Sequence, residues 1–251
     1  MKTLLAAFAA TTVLATAFVG SASAADPVLD PVAAPDVYRY FVAIKGGYGP
    51  SLLDNDFESA DGTGTTGRFE DDYIVGGSIE AGAFVTERLR FSVELNYGRI
   101  EHDRQIINGG AFRLDGGTNL TQVFVKGAYE MPLADLGLNA PIFERSSLVA
   151  LGGIGFTHIN SGGTVRGVPF SPGGTTPFFL DGRQEEEDTV FSAKLGLGSV
   201  YRLTDRVDFV SETSFIFGSE AELSSDFGLA TSTSNVDTNA IVSQIGLRFK
   251  F

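Results

Sequence analysis

The chain has 251 residues, a formal net charge of −13 and no cysteine. Because it has no thiol, it can form neither a disulfide nor a cysteine-based catalytic or metal site. Its 31 acidic residues outnumber its 18 basic ones, which argues against binding to the phosphates of a nucleic acid. The length suits one large all-β domain.

The N-terminal segment predicts export. Lys2 precedes an apolar stretch that ends at Val19, and the small residue Ala24 follows a few positions later. This is the arrangement of a cleaved secretory signal peptide over residues 1–24. The prolines of residues 25–39 favour an extended, solvated linker. No later stretch is long and apolar enough to predict a transmembrane helix.

From residue 40 onward, apolar and polar residues alternate in eight segments, which predicts eight β-strands. A period of two places successive side chains on opposite faces of a strand. Most segments reach the roughly 9 to 11 residues that a tilted strand needs to cross a bilayer, whereas ordinary strands have about 5 to 6. The predicted strands are 40–49, 72–85, 89–101, 118–131, 148–160, 188–203, 207–218 and 239–251.

The connections between these strands alternate in length. Tight turns are predicted at 86–88 and 204–206, and the long polar connections are 50–71, 102–117, 161–187 and 219–238. Long loops at one end and short turns at the other are typical of a barrel that spans a bilayer. The connection 132–147 is long where a short turn is expected, and its role stays open.

The last predicted strand ends on an aromatic residue. One of its faces is apolar and consists of Ile245, Leu247, Phe249 and Phe251. A sheet is stable in hydrocarbon only when it is closed, because each backbone N–H and C=O then finds a neighbouring strand. We therefore expect the last strand to pair with the first.

Together these features resemble the small outer-membrane β-barrel family of Gram-negative bacteria, the OmpA/OmpX-like class. The terminal pattern "IGLRFKF" is similar to the signature that the family's barrel-assembly machinery recognises. The resemblance implies an eight-stranded antiparallel transmembrane barrel over residues 40–251, with long extracellular loops and mostly short periplasmic turns. It also implies a periplasmic linker, location in the cell outer membrane, contact with outer-membrane lipids and lipopolysaccharide, and a monomeric state.

The alternation also places charged side chains near mid-height on the inner face of the predicted barrel. An eight-stranded barrel is nearly filled by its own side chains, so these charges must pair. We expect Glu212 to lie between Lys194 and Arg248, and Lys45 to adjoin Glu80 and Arg248. A packed polar plug and a gated conduit remain as alternatives. The predicted lumen network is Lys45, Glu80, Glu94, Lys126, Lys194, Glu212 and Arg248.

Candidate catalytic residues are few, since His102 and His158 are the only histidines and histidine is the usual general base. His102 with Asp103 resembles one dipeptide of the omptin proteases, but omptins have more strands. A barrel lipid deacylase would need a serine two residues after His158, where Asn160 stands. The sequence therefore predicts no enzyme, no cofactor and no metal site.

The acidic excess lies mainly in the predicted long loops, as in the run from Glu185 to Asp188. Carboxylates bind divalent cations, which could bridge them to anionic lipopolysaccharide; solubility through mutual repulsion is the alternative. The loop residues Phe170, Phe178 and Phe179 are candidate contacts for a host or surface ligand. Folding back over the barrel mouth is the alternative for these residues.

The predicted function is therefore non-catalytic. It consists of envelope integrity and surface display or adhesion, as expected of a surface antigen. A small, porin-like pore of low conductance for small solutes is one alternative. A soluble β-barrel that binds a ligand is another, and it would be extracted without detergent.

Overall fold

The computed structural model describes residues 38–50, 56–58, 66–69, 73–102, 105–107, 110–112, 114–137, 140–170, 178–226, 231–236 and 238–251. The predicted signal peptide, residues 1–24, and most of the predicted linker lie outside these ranges. Both therefore stay predictions.

Eight antiparallel strands form a closed barrel, which confirms the predicted fold class. Each strand pairs with its neighbours in sequence, and the last strand pairs with the first. Tyr40 and Phe251 exchange two backbone hydrogen bonds of 3.0 Å at this seam. The strands are β1 Tyr40–Pro50, β2 Tyr73–Phe84, β3 Leu89–His102, β4 Leu114–Pro132, β5 Ser146–Phe170, β6 Phe178–Arg202, β7 Val207–Gly218 and β8 Ala240–Lys250.

Strands β4, β5 and β6 are longer than the alternation predicts. β5 and β6 form a hairpin in which Phe170 lies opposite Phe178, so much of the predicted loop 161–187 is strand. β4 begins at Leu114 and not at residue 118. Strand pairing needs only backbone N–H and C=O groups. Apolar alternation reports a strand face in apolar surroundings and not the pairing itself, so it does not detect these extensions.

Three of the predicted long loops contain regular structure. The connections after β1, β3 and β7 contribute two short strands each to a second, six-stranded sheet. In sheet order, the strands are Ala221–Asp226, Thr231–Val236, Asp56–Glu58, Thr66–Phe69, Gln105–Ile107 and Gly110–Phe112. These three long connections therefore contain β-structure outside the barrel.

The two tight turns at the opposite end are stabilised by the same hydrogen bonds from the backbone to a threonine hydroxyl. Thr86 Oγ1 accepts hydrogen bonds from the backbone N–H groups of Arg88 and Leu89. Thr204 Oγ1 accepts from the backbone N–H groups at the equivalent positions of the second turn. A threonine hydroxyl that accepts from the backbone stabilises a turn locally, which explains why "TER" and "TDR" reverse the chain.

The connection 132–147 at this end contains two helices. A 3₁₀-helix spans Leu133–Leu136, and the α-helix α1 spans Pro141–Glu144. An ion pair of 2.9 Å between Arg88 Nη2 and Asp135 Oδ2 joins the first helix to the neighbouring turn. Neither helix in the described part of the chain is long and apolar enough to cross a membrane.

The outer face of the barrel carries most of the large apolar side chains. Ile44, Val93 and Ile154 are each more than half exposed. Soluble monomers rarely expose an apolar patch of more than a few hundred Å², so this belt suits hydrocarbon. Tyrosines flank the belt, with Tyr40, Tyr129 and Tyr201 toward the short turns and Tyr48, Tyr73 and Tyr97 toward the long connections.

The close pairing of β1 with β8 favours a glycine at position 246. Gly246 of β8 lies opposite Lys45 of β1. A Cβ atom there would lie 2.0 Å from the backbone oxygen of Ile44 and 2.8 Å from Lys45 Cγ. Gly46 of β1, where a Cβ atom would meet nothing within 4 Å, is the matched control.

We predict that Gly246→Ala destabilises the barrel by about 1 to 3 kcal/mol, the usual cost of overpacking. The control Gly46→Ala should leave stability nearly unchanged. Thermal unfolding followed by circular dichroism in detergent micelles compares the two variants. Equal melting temperatures would contradict this account of the β1–β8 seam.

Candidate functional site

The inner face of the barrel is packed with side chains in layers along the barrel axis. Nearest the long connections lies an apolar cluster that includes the buried residues Ile74, Ile100 and Leu120. An amide and hydroxyl layer follows, in which Gln122 Nε2 donates to Thr157 Oγ1 at 3.1 Å. Toward the short turns, charged side chains lie beside a second apolar cluster that includes the buried residues Val149, Leu151 and Val210.

Six charged side chains meet at mid-height in what we term the Lys–Glu cluster. Its members are Lys45, Lys126, Lys194, Glu80, Glu94 and Glu212. Lys45 Nζ lies 2.9 Å from Glu80, 2.5 Å from Glu94 and 3.1 Å from Glu212. Lys126 Nζ contacts the same three carboxylates at 2.9, 3.2 and 3.1 Å. Two ammonium groups therefore bridge three carboxylates.

Lys194 completes the cluster and makes it electrically neutral. Its Nζ lies 2.9 Å from Glu94 Oε2 and 2.7 Å from Glu212 Oε1. None of the six side chains is more than 6% exposed. Three ammonium groups thus balance three carboxylates away from water, which is the condition for burying charge at a tolerable cost.

Hydroxyl groups satisfy part of the carboxylates' remaining acceptor capacity. Ser92 Oγ donates to Glu80 Oε1 at 2.7 Å, and Ser214 Oγ donates to Glu212 Oε1 at 3.3 Å. A buried polar network stabilises a fold only when its members are satisfied. The contacts of the cluster meet this condition and hold its side chains in one arrangement.

Glycines leave room for these long side chains. Gly153 of β5 lies opposite both Lys126 and Lys194, and Gly246 lies opposite Lys45. A Cβ atom on Gly153 would come within 3.4 Å of Lys126 Cγ and 2.9 Å of a backbone oxygen of β4. The strand glycines are therefore part of the charged interior.

A second group, which we term the arginine cluster, lies nearer the short turns. It consists of Arg90, Glu130, Asp208, Arg248 and Lys250. Arg248 donates to Asp208 Oδ2 from Nε at 3.0 Å and from Nη2 at 2.8 Å. Glu130 contacts both Arg90 and Arg248, and Lys250 Nζ lies 3.0 Å from Asp208 Oδ1. Three cations here share two carboxylates.

Six of the seven residues predicted for the lumen network form the Lys–Glu cluster, and Arg248 does not. We expected Arg248 to join Glu212 and Lys45. Instead Arg248 lies directly opposite Asp208, while Glu212 lies opposite Gln244. The physical reason is that alternation assigns a side chain to one face of a strand and does not give its height along the barrel.

The sequence interpretation also missed Arg90, Glu130 and Asp208. Each lies four residues along its strand from a predicted lumen residue, as Arg90 does from Glu94. Residues separated by an even number of positions share a strand face. The same parity that predicted the Lys–Glu cluster could therefore have found all three.

Two small cavities lie within the described interior. One, of about 30 Å³, lies on the side of the Lys–Glu cluster that faces the long connections and is lined by Asn96 and Gln244. The other, of about 10 Å³, is lined by Lys45, Arg90 and Arg248 and lies between the two charged clusters. A water molecule needs roughly 10 to 15 Å³, so the first cavity has room for about two or three water molecules and the second for about one.

Carboxylate oxygens of Glu80, Glu94 and Glu212 lie within 4.8 Å of one another, a spacing that could serve a metal ion. The ammonium groups of Lys45 and Lys126 contact all three of these carboxylates. Lysine ammonium groups thus supply the positive charge that a metal would bring. This group of side chains is therefore suited to ion pairing.

The other predicted site residues lie on the barrel wall and on its long hairpin. The terminal apolar residues are on the outer face and partly exposed; they are Ile245, Leu247, Phe249 and Phe251. Phe170 and Phe178 lie opposite each other, and Phe179 lies opposite Pro169. The side chains of these three phenylalanines are outside the described part of the structure, so a role in ligand contact stays a prediction.

His158 finds a hydroxyl partner on the neighbouring strand. Its Nδ1 lies 3.0 Å from Thr189 Oγ1, and its Nε2 lies 4.0 Å from Glu187 Oε2. The sequence interpretation considered only Asn160, on the same strand, and so missed this cross-strand partner. The pair is exposed on the outer wall, as expected for polar residues above an apolar belt. The side chain of His102 is outside the described residues.

We predict that neutralising one member of the Lys–Glu cluster is far more harmful than removing an opposite pair. Glu94→Gln leaves one uncompensated buried cation and should destabilise the barrel by about 3 to 5 kcal/mol. Adding Lys194→Met restores neutrality and should recover most of this loss. Urea unfolding in lipid vesicles measures both variants.

The matched control is Arg88→Gln, which breaks an exposed ion pair and should cost only about 0 to 1 kcal/mol. Lys194→Met alone is measured as well. If the loss of stability in the double variant equalled the sum of the losses in Glu94→Gln and Lys194→Met, the cluster would not act as one balanced unit.

No protein-family model matches the sequence, and no curated protein matches it. Solved structures do resemble it. The outer membrane protein OprG from Pseudomonas aeruginosa gives a TM-score of 0.53 at 12% identity, covering 85% of this chain and 96% of that chain. A major outer membrane protein from Thermus thermophilus gives 0.50 at 12% identity, covering 84% and 99%. The chain thus has the barrel fold of these outer-membrane proteins.

Proposed function

We propose that the protein is a non-catalytic barrel of the outer membrane that supports envelope integrity and displays its acidic loops at the surface. The observation that carries this proposal is a sealed interior inside an apolar belt. The Lys–Glu cluster fills the barrel at mid-height, so the ends of the barrel remain as its functional surfaces. The fold supports the location, since only closed barrels and helices satisfy the backbone in hydrocarbon.

Charge separates the two ends of the barrel. At one end, the long connections and the strand ends that extend into them span 51–72, 101–117, 161–188 and 219–239, and they contain 19 acidic and five basic residues. The short-turn connections, 85–88, 131–147 and 203–206, contain four acidic and three basic residues. The end with the long connections is therefore strongly anionic whatever conformation they adopt, and it is the surface that we assign to display.

An anionic rim next to anionic lipid needs a counterion. Carboxylate oxygens are preferred ligands of divalent cations, and lipopolysaccharide supplies phosphate groups on the other side. We therefore assign lipopolysaccharide as a partner, bridged to the loops by divalent cations. The apolar residues of β8 are the proposed contact with the barrel-assembly machinery, and a monomer suffices for both roles.

A small pore is the alternative function. Conduction would require the Lys–Glu cluster to open at mid-height. Each lysine in it contacts two or three carboxylates, so opening would expose several unpaired charges at once, and an unpaired buried charge costs several kcal/mol. The geometry therefore favours the sealed barrel over the pore.

The cation bridge can be tested on the barrel in phospholipid nanodiscs. We predict that immobilised nanodiscs retain lipopolysaccharide in Mg²⁺ and lose most of it in EDTA. Replacing Glu185, Glu186 and Glu187 by Gln and Asp188 by Asn should reduce retention in Mg²⁺ severalfold, because it removes carboxylates that hold the cations.

The matched control changes the same chemistry at the other end, with Glu87→Gln and Asp205→Asn. This variant should retain as much lipopolysaccharide as the wild type. Retention that survives EDTA, or that is equal in the two variants, would rule out the bridge.

A further inference from the structure

The arginine cluster has more cations than anions. Arg90, Arg248 and Lys250 form ion pairs with the carboxylates of Glu130 and Asp208, so these five side chains carry a formal charge of +1. Glu80 and Glu212 of the neighbouring Lys–Glu cluster also line the cavity beside Arg90, but that cluster is neutral as a whole and adds no net charge. Arg90 and Arg248 are no more than 5% exposed. A buried, uncompensated charge is strongly unfavourable.

The unsatisfied group of this cluster is Arg90. Its guanidinium contacts Glu130, whose carboxylate is also engaged by Arg248. Among the described residues, the Nε of Arg90 has no hydrogen-bond partner. An arginine presents five N–H donors in a fixed fork and cannot lose its charge, so this side chain needs an acceptor that the described strands do not provide.

A cavity lies beside this unsatisfied donor. The cavity of about 10 Å³ is lined by Arg90, Arg248 and Lys45, together with Glu80 and Glu212. The two carboxylates are already engaged by lysines of the Lys–Glu cluster. The guanidinium of Arg90 is therefore the donor beside this cavity that still needs an acceptor.

Phe41 lies close to both guanidinium groups. Each lies 5.7 Å from the ring centroid of Phe41, and Arg248 also lies 5.2 Å from the ring of Phe84. Cation–π contact orients a guanidinium while leaving its in-plane N–H donors directed outward. Two fixed guanidinium groups beside one small cavity form a built site for negative charge.

We propose that this cavity binds one small monatomic anion of the chloride class, held by Arg90 and Arg248. A single negative charge brings the arginine cluster to neutrality and gives Arg90 Nε an acceptor. The volume excludes phosphate and carboxylate ligands. Lys250, at the end of β8 and 11% exposed at its side chain, marks the short-turn end as the route of entry. This binding is independent of the proposed loop function.

The test compares anions at constant ionic strength on the refolded, full-length barrel in detergent micelles. Sodium chloride or bromide should raise the melting temperature relative to sodium gluconate, whose anion is too large for the cavity, because a ligand bound only by the folded state stabilises it. Arg90→Gln should abolish the difference. Arg88→Gln, at the exposed ion pair with Asp135, is the control that should preserve it.

A second variant keeps the test decisive if Arg90→Gln does not refold. Glu130→Gln removes a competing negative charge from the cluster, so it should increase the chloride-dependent rise in melting temperature. In crystals soaked in bromide, an anomalous peak should appear between Arg90 and Arg248. Melting temperatures that are equal in chloride and gluconate, or a rise that Arg90→Gln leaves unchanged, would show that the cavity holds only water and would overturn the proposal.

Discussion

Backbone hydrogen bonding around a closed ring of strands is the constraint on which the rest of the structure depends. In hydrocarbon, an unpaired N–H or C=O costs several kcal/mol, so the first and last strands must join. The hydrogen bonds between Tyr40 and Phe251 and the close approach at Gly246 follow from that requirement. The apolar belt outside and the charged side chains within reverse the usual distribution of residues, which is the arrangement expected of a barrel surrounded by hydrocarbon.

The charged interior is a consequence of this inversion. Once eight strands close, their inner side chains nearly fill the barrel, and each charge there needs a partner at the same height. The Lys–Glu cluster meets this need with three ammonium and three carboxylate groups. The arginine cluster meets it incompletely, since two carboxylates serve three cations. This difference in charge balance distinguishes the Lys–Glu cluster from the layer in which we propose anion binding.

The sequence predicted those parts of the fold that follow from the alternation of side chains between the two faces of a strand. β3 was predicted to within one residue because every second side chain of "LRFSVELNYGRIE" is apolar. The hairpin that reaches Phe170 and Phe178 could not be predicted, since backbone pairing leaves no apolar alternation there. Parity likewise placed Arg248 inside the barrel, but its partner Asp208 depends on register between β7 and β8, which alternation does not encode.

The most direct test of the central claim, a closed barrel in the outer membrane, is the mobility of the protein on a detergent gel before and after boiling. Closed barrels unfold only when all their strand pairs separate, so we predict a faster band in unboiled samples of the outer-membrane fraction and a slower one after boiling. Recovery of the protein in the soluble periplasmic fraction, with the same mobility in both samples, would contradict the account.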